Sequence, residues 1–393
     1  MKTAFRSCPI CGYDQVDILH KQNFILPDAH PLKDGYEVVC CGKCGFVYAD
    51  TIISQEVYDR YYAQNSKYED SKIGTGGVET PWDLERLKKT ASQISSYLNE
   101  KSASILDVGC ANGGLLKSLQ ALGHKNIFGI DPSPTCVENT RKLGIDAETG
   151  TLLQPIAHRR FDCVVLSHTL EHIQDLKGAF RWIKNVSKNN GSVYIEVPNA
   201  ARYLDFVDAP FQDFNTEHIN HFSLIALNNF LNVNDYSPFK SGEKIIPASA
   251  NALYPAIFCF ATKSDTTREV IKDKELHSRI KQYIAISQNI LNSIEAKLHL
   301  ALHNSGQIIV WGTGQLTMKL LADTSLSQAE IIAFVDSNPI NQGKILHGVQ
   351  IVAPKDIVGR KVPILISSTL HQQSIIDQIH KMGLPNPLIL LKE

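Results

Sequence analysis

The stretch Phe211-Gln-Asp-Phe-Asn-Thr-Glu-His-Ile-Asn-His-Phe-Ser223 gathers acid and base side chains where few residues look like core. Glu217, His218 and His221 lie close together there, after a strand end, on the side of an α/β sheet where substrates meet cofactors. A histidine near pH 7 can take a proton, and a neighbouring carboxylate can orient it and stabilise its charged form. Such a pair suits an acceptor that must lose a proton before it reacts. His172, three residues after Thr169, ends another strand from the opposite direction. The competing reading is that His218 and His221 only make structural hydrogen bonds in a loop.

Sulfur forms a second set. Cys8-Pro-Ile-Cys11-Gly and Cys41-Gly-Lys-Cys44-Gly are two C-x-x-C-G knuckles about thirty residues apart. Tight C-x-x-C turns let two thiolates reach one ion, the following glycine admits the needed backbone conformation, and four sulfurs close a tetrahedral Zn2+ site with no open position for catalysis. Cys8, Cys11, Cys41 and Cys44 are the expected ligands, with Cys40 an alternative to Cys41 at x3 spacing. Zinc of this kind holds together a small lobe that could not fold alone. Free structural cysteines, or a ribbon that grips nucleic acid, are the competing readings.

The third set is a glycine turn, Ser104-Ile-Leu-Asp-Val-Gly-Cys-Ala-Asn-Gly-Gly114, followed by Asn126-Ile-Phe-Gly-Ile-Asp-Pro-Ser133. An apolar run ending in Asp107 and Gly109 predicts a buried strand, a turn able to touch a ligand, and a helix from Leu115 to Leu122. The second run ends on Asp131, 24 residues after Asp107, near the separation at which an acid meets a ribose in a doubly wound sheet. Nicotinamide and flavin cofactors use the same turn, so it does not choose among them alone.

Alternating elements position these residues. A helix over Val78 to Leu98 precedes strand 104–109, helix 114–122, strand 126–131, helix 134–143, strand 161–166, helix 176–188 and strand 191–197. That order predicts a mostly parallel, doubly wound sheet. Ser223 to Leu231 reads as a helix, with late strands at Ile245-Ile246 and Leu253 to Thr262. A long helix over 266–304, with Ile280, Tyr283, Ile284, Leu291, Ile294 and Leu298 on one face, leads to a second Rossmann-like pattern. Gln307-Ile-Ile-Val-Trp-Gly-Thr-Gly314, a helix from Gln315 and Ala329-Glu-Ile-Ile-Ala-Phe-Val-Asp336 again give strand, glycine turn, helix, strand and acid. Strands at Val362 to Ser367 and Pro387 to Leu391 flank a helix from His371 to Met382. The expected domains are 1–60, 61–265 and 266–393.

At 393 residues, two to three domains are expected. With 43% hydrophobic residues, 20% charged and a net charge of -1, the chain looks soluble and globular. Near-neutral charge, and no basic run longer than pairs such as Lys88-Lys89 and Arg159-Arg160, argue against a nucleic-acid partner. The N-terminus has no apolar stretch of signal-peptide length, and the longest apolar run, Ala252 to Ala261, contains Pro255 and is too short for a bilayer. Cytoplasmic residence and no membrane partner are the expectations, and clustered cysteines in a reducing compartment favour metal over disulfides.

Three ordered motifs carry a resemblance to class I methyltransferases. They are the glycine turn with Asp131, Phe161-Asp-Cys-Val-Val-Leu-Ser-His-Thr-Leu-Glu-His-Ile173, similar to that fold's fourth motif, and Gly191-Ser-Val-Tyr-Ile-Glu-Val-Pro198, similar to its next strand. The resemblance implies S-adenosylmethionine held by Asp107, Gly109, Cys110, Ala111, Gly113, Asp131, Pro132, Ser167 and His168. Ala111 stands where the family often has its middle glycine. A nicotinamide-binding domain remains the main competitor.

A narrower resemblance spans nearly the whole chain. A zinc lobe, a methyltransferase core, a Glu-His loop ending in Phe-Ser and a C-terminal nucleotide-fold segment look like the deoxysugar C-methyltransferase family, which methylates a nucleotide-linked 4-keto sugar at the carbon beside the ketone. The family loop reads Tyr-His-Glu-His, whereas this chain has Asn215-Thr216-Glu217-His218. Carried over, His218 is the base with Glu217 beside it, His172 is the strand-end histidine, Tyr68 matches a tyrosine before the core, and Asn215 replaces the loop phenol, a good partner for a developing oxyanion. His221, Gly312, Gly314 and Asp336 are expected to meet the substrate, the last three at its nucleotide or diphosphate, unless the second turn is empty and only walls the cleft. Oxygen methylation of a sugar or other small molecule, and a ligand-binding protein without catalysis, are the alternatives.

Overall fold

The computed structural model describes residues 1–65, 80–98, 100–152, 159–264, 266 and 268–392. Two compact units make up the chain, one of Met1–Leu19, Val38–Phe206 and Glu217–Ile280, the other of His20–Glu37, Val207–Thr216 and Lys281–Glu393. The chain opens with β1 (Lys2–Thr3), β2 (Gln15–Asn23), β3 (Gly35–Cys41) and β4 (Val47–Asp50), followed by α1 (Gln55–Asn65) and α2 (Pro81–Tyr97). A central run holds β5 (Ile105–Val108), α3 (Gly114–Ala121), β6 (Ile127–Asp131), α4 (Pro134–Lys142), β7 (Asp146–Thr149), β8 (Phe161–Ser167), α5 (Leu176–Val186) and β9 (Ser187–Pro198). Then come β10 (Asn220–His221), α6 (Leu224–Val233), β11 (Tyr236–Pro247) and β12 (Leu253–Lys263).

The central sheet has the order β11-β12-β9-β8-β5-β6-β7. Its five inner-run strands are parallel, and β12 and β11 are added antiparallel at one edge. Strands covered on both faces read as continuous apolar runs, and side-chain alternation then splits them between two cores. Leu106, Ile130, Val164, Leu166 and Ile195 fill one face, and Ile105, Ile127, Cys163, Val165 and Tyr194 the other. A separate sheet, β1-β2-β3-β4-β10, carries the cysteine knuckles, with His221 of β10 opposite Val47 of β4.

In the second unit, α7 (Leu276–Ser305) runs into β13 (Gln307–Trp311), α8 (Gln315–Asp323), β14 (Glu330–Val335), β15 (Ile345–Leu346), β16 (Val349–Val352), β17 (Ile364–Ile366), α9 (Gln372–Lys381) and β18 (Leu388–Leu390). The sheet order is β15-β16-β14-β13-β17-β18, parallel except for β15 against β16. Ile309, Trp311, Val335, Ile364 and Ile379 form its core.

Several boundaries differ from the sequence reading. α7 begins at Leu276 rather than 266, because Asp273 Oδ1 accepts hydrogen bonds from the Glu275 and Leu276 amides at 3.0 Å and caps the helix there. α5 stops at Val186, since β9 starts at Ser187, whose hydroxyl donates back to the Ile183 carbonyl at 2.7 Å. β7 has no counterpart in the sequence reading, and β11 is a full strand where only Ile245-Ile246 was expected. No helix among the described residues is long and apolar enough to cross a membrane.

Candidate functional site

The glycine turn leaves β5 with three residues in the left-handed region, Gly109 (φ 75°), Ala111 (φ 46°) and Gly113 (φ 78°). Close packing demands glycine at two of them. A Cβ on Gly109 would stand 3.0 Å from Thr169 Oγ1, and one on Gly113 would stand 2.9 Å from Thr140 Cγ2. Ala111 adopts a conformation that costs an L-residue roughly 1–2 kcal/mol. Asp131 pins the turn, accepting from the Ala111 amide and the Ser133 amide, both at 2.9 Å. Pro132 follows it, and Ser133 caps α4 through the Cys136 amide at 3.3 Å. Asp107 is buried, and burial together with the Asp131 charge pushes its carboxyl up to about 7. The Cys110 side chain turns inward, where a Cβ on Gly129 would meet its sulfur at 2.7 Å, so only its backbone borders the turn. Ser167 and His168 end the neighbouring β8, with His168 also left-handed (φ 55°). The expected cofactor residues therefore converge on the ends of three adjacent parallel strands.

A short 3-10 turn, Leu170–His172, continues from β8 and meets the loop that leads into β10. The Ile219 amide bonds the Glu171 carbonyl at 2.8 Å, and Asn220 Nδ2 donates to the carbonyls of Leu170 and Ile173 at 2.8 and 2.7 Å. Those bonds bring the rings of His172 and His218 edge to face, with centroids 4.8 Å apart and planes at 76°. His172 Nδ1 lies 3.1 Å from the Glu217 carbonyl, to which it can donate when protonated. Two tyrosines that the sequence reading passed over complete the group. From α1, the Tyr62 hydroxyl lies 2.9 Å from His172 Nδ1, and the Tyr61 hydroxyl donates to Glu217 Oε1 at 3.3 Å.

Behind this group runs a line of buried charge. His168 Nδ1 lies 3.3 Å from Glu171 Oε1, and its Nε2 lies 3.4 Å from Glu196 Oε1. Burial opposes the charged imidazole, but Glu171 and Glu196 outweigh it and raise the His168 pKa. Glu196 is fully buried in β9 and is also bonded by Lys244 Nζ and the Tyr194 hydroxyl, with Thr90 Oγ1 at 3.3 Å from Oε2. Burial alone would raise its carboxyl; His168 and Lys244 instead hold it well below the usual carboxylate range. An acid between two histidines, Glu171 in His168-Thr-Leu-Glu-His172, was the available sequence signal for this line.

Other expected residues lie elsewhere. His221 is 0% exposed in β10, with Tyr203 OH 3.4 Å from Nδ1, and burial lowers its pKa to about 3. His221 is thus a buried residue of the β4–β10 pairing rather than part of an open loop. Asn215 belongs to the second unit, where its amide donates to the Gln212 carbonyl at 3.3 Å and its carbonyl accepts from the Tyr36 hydroxyl at 2.8 Å. Tyr68 lies outside the described residues. In the second unit Gly312 (φ 105°) and Gly314 flank the turn into α8, and Asp336 is bonded by the Thr313 hydroxyl, the Asn338 amide at 2.8 Å and Asn341 Nδ2 at 3.0 Å.

Cys8, Cys11, Cys41 and Cys44 place their sulfurs within 4.8 Å of one another, with Cys8–Cys44 and Cys11–Cys41 each at 3.5 Å. Sulfurs on one tetrahedral zinc stand about 3.8 Å apart, so the four fit that ion. Gly12 (φ 72°) and Gly45 (φ 79°) follow the knuckles in the left-handed region. Cys40 turns its sulfur away, 3.5 Å from the Gly45 carbonyl, which leaves Cys41 in the cluster.

Residues 82–237 match a family described as a methyltransferase domain, and residues 304–390 one described as C2185-like, N-terminal. Ubiquinone biosynthesis O-methyltransferases of Xanthomonas oryzae pv. oryzae are 27% identical over 114 residues, 27% of this chain. The chain spans about half, 47%, of the length of these curated relatives. The 1,6-didemethyltoxoflavin-N1-methyltransferase of Burkholderia thailandensis, with bound 1,6-didemethyltoxoflavin and S-adenosylhomocysteine, aligns at 16% identity and a TM-score of 0.43, covering 57% of this chain and 97% of that one. Magnesium protoporphyrin IX methyltransferase of Synechocystis PCC 6803 aligns at 14% identity and a TM-score of 0.41, covering 53% and 99%. Residues 82–237, which match the methyltransferase domain, hold the parallel strands β5 to β9 of the central sheet.

Proposed function

We propose that this chain transfers a methyl group from S-adenosylmethionine to a small-molecule acceptor, a nucleotide-linked keto sugar, at the carbon beside the ketone. The observation that carries the reading is one unit in which a glycine turn with a ribose-type acid accompanies the paired rings of His172 and His218, with the Glu217 carbonyl 3.1 Å from His172 Nδ1. When bound, S-adenosylmethionine supplies an electrophilic methyl on a sulfonium. The chain's task is then to align the acceptor and make it nucleophilic. Asp131 and the backbone of Gly109, Ala111 and Gly113 hold the cofactor, with Ser167 and His168 at the adjoining strand end. His218 would take the proton from the carbon beside the ketone, the C–H pair would pass into an enolate, and that carbon would take the methyl as the carbonyl re-forms, the broken methyl–sulfur bond leaving its pair on a neutral thioether. Zinc on Cys8, Cys11, Cys41 and Cys44 is structural, and Gly312, Gly314 and Asp336 give the second unit a nucleotide-type turn of its own.

A second reading, methyl transfer to a hydroxyl oxygen, is favoured by the curated relatives being O-methyltransferases. The same histidine would deprotonate the alcohol. Mass spectrometry after incubation with S-adenosylmethionine and a panel of nucleotide-linked 4-keto and 4-hydroxy sugars in deuterated water separates the two. A gain of one methyl with deuterium beside the ketone marks carbon, a gain on a hydroxy sugar marks oxygen, and no product from any sugar refutes the substrate class. His218→Ala should lower turnover about 10²–10⁴-fold with cofactor affinity unchanged.

A further inference from the structure

Arg6 stands two residues before Cys8, where β4 holds its backbone: its amide donates to Asp50 Oδ1 at 2.8 Å, and its carbonyl accepts from the Tyr48 hydroxyl at 2.9 Å. The residue is buried, and its guanidinium lies over the Tyr48 ring at 5.7 Å. Burying a charge is costly unless hydrogen bonds satisfy it. Here they run to carbonyls on two other segments. Nη2 donates to Gln174 at 2.6 Å and to Ile173 at 3.4 Å, the two residues after His172, and Nη1 donates to Ile219 at 3.5 Å, the residue after His218. Two more side chains fix the same segments. Gln55 Oε1 accepts from the Gln174 and Asp175 amides at 2.7 and 3.2 Å, and Asn220, opposite Tyr48 in the β4–β10 pairing, donates to the Ile173 carbonyl at 2.7 Å. A guanidinium presents five donors in a planar, permanently charged fork that can bridge separate acceptors; a lysine ammonium offers no such fixed fork.

We infer that Arg6 is a positioning residue through which the cysteine-knuckle sheet sets the His172 turn against the His218 loop. It acts through the backbone next to each histidine, and the two rings meet with centroids 4.8 Å apart, so a shift of either segment changes both their contact and their alignment with an acceptor. A misplacement of about 1 Å from a change remote from the chemistry can cost about 10²-fold in rate. The inference rests on the reading of these histidines as the pair that prepares the acceptor, and it gives the front sheet a part in that task beyond its own folding.

The test is the ring nitrogen-15 spectrum of the full chain labelled in histidine, assigned with His172→Gln and His218→Gln and then recorded for Arg6→Ala. The His172 and His218 signals should move, while that of His124, which follows α3 and lies 3.0 Å from Ser95 Oγ, stays in place. Guanidinium chloride, below the concentration that unfolds the variant, should return both signals toward the parent by refilling the emptied site. With a working substrate, kcat should fall about 10–100-fold while KM stays near that of the parent, and guanidinium should recover part of the loss. Should Arg6→Ala not fold, Arg6→Lys keeps a cation without the fork and should still move both signals. Unmoved signals in a folded variant, a movement shared by His124, or signals that guanidinium leaves displaced would overturn the inference, the last two marking general loosening or lost packing of the arginine stem. The spectra need no substrate, so a chain that methylates none of the sugars refutes the substrate reading and leaves the positioning to be judged on the rings alone.

Discussion

Lys244→Met should destabilise the first unit far more than loss of a surface lysine would. Glu196 is fully buried, and Lys244, with its side chain only 16% exposed, is its lysine partner, with His168 Nε2 at 3.4 Å on its other oxygen. Removing one member of a buried pair costs about 3–5 kcal/mol, because the remaining charge can neither ionise cheaply nor reach water. The lower end, about 3 kcal/mol, applies here, since His168 at 3.4 Å and the Tyr194 and Thr90 hydroxyls remain. For a unit of roughly 250 residues each kcal/mol moves Tm by about 2–4 °C, so the melt should fall by about 6–12 °C. Calorimetry at pH 7 measures it, and Glu196→Gln combined with Lys244→Met should recover much of the loss by removing the stranded charge. The pH dependence has a definite sign. Glu196 has a folded pKa held below its unfolded value, so its contribution is present above about pH 4.3 and is lost as pH falls through the folded pKa. The gap between parent and Lys244→Met should therefore narrow in acid. A variant melting within about 2 °C of the parent, or a double variant no more stable than Lys244→Met, would show that the pair is solvated and the reasoning wrong.

Metal analysis should find about one zinc per chain in the parent and in Cys40→Ser, and little in Cys41→Ser; loss of metal from Cys40→Ser would reverse the ligand assignment. Gly113→Ala puts a Cβ 2.9 Å from Thr140 in a left-handed turn, and the resulting strain of about 1–2 kcal/mol should weaken S-adenosylmethionine binding about 5–30-fold by calorimetry. Unchanged affinity would detach that turn from the cofactor.

The elements that could be read from sequence are those whose signal is local. Gly109 and Gly113 mark a turn because only glycine fits against Thr169 and Thr140, and the runs at 105–108 and 161–167 are apolar because both faces are covered. Cys41 was preferred over Cys40 from the repeat of its glycine, and the sulfur positions agree. What escaped was set by distant partners. Lys244 sits in a polar-looking run, Ser241-Gly-Glu-Lys, and has meaning only through Glu196 across the β11–β12–β9 edge. Tyr61 and Tyr62 look like ordinary helix residues until Glu217 and His172 are brought to their hydroxyls. His221 stood beside His218 in a loop-like sequence, but pairing with β4 buried it. Long-range pairing, rather than residue type, decided each of these.

Gly45 has a consequence for how the chain is made. A Cβ there would strike the Asp273 carbonyl at 2.2 Å, the Asp273 amide bonds the Cys44 carbonyl at 2.9 Å, and the Asp273 carboxylate takes the Ser223 hydroxyl at 2.5 Å. The second cysteine knuckle is thus seated on a residue synthesised more than two hundred positions later. At about 5–20 residues per second the ribosome leaves that knuckle waiting roughly 10–50 s for its seat. During that interval the four thiols lack the cover that Asp273 and Ser223 bring, and zinc, if it binds there as proposed, is what would shield them from oxidants before the rest of the unit exists.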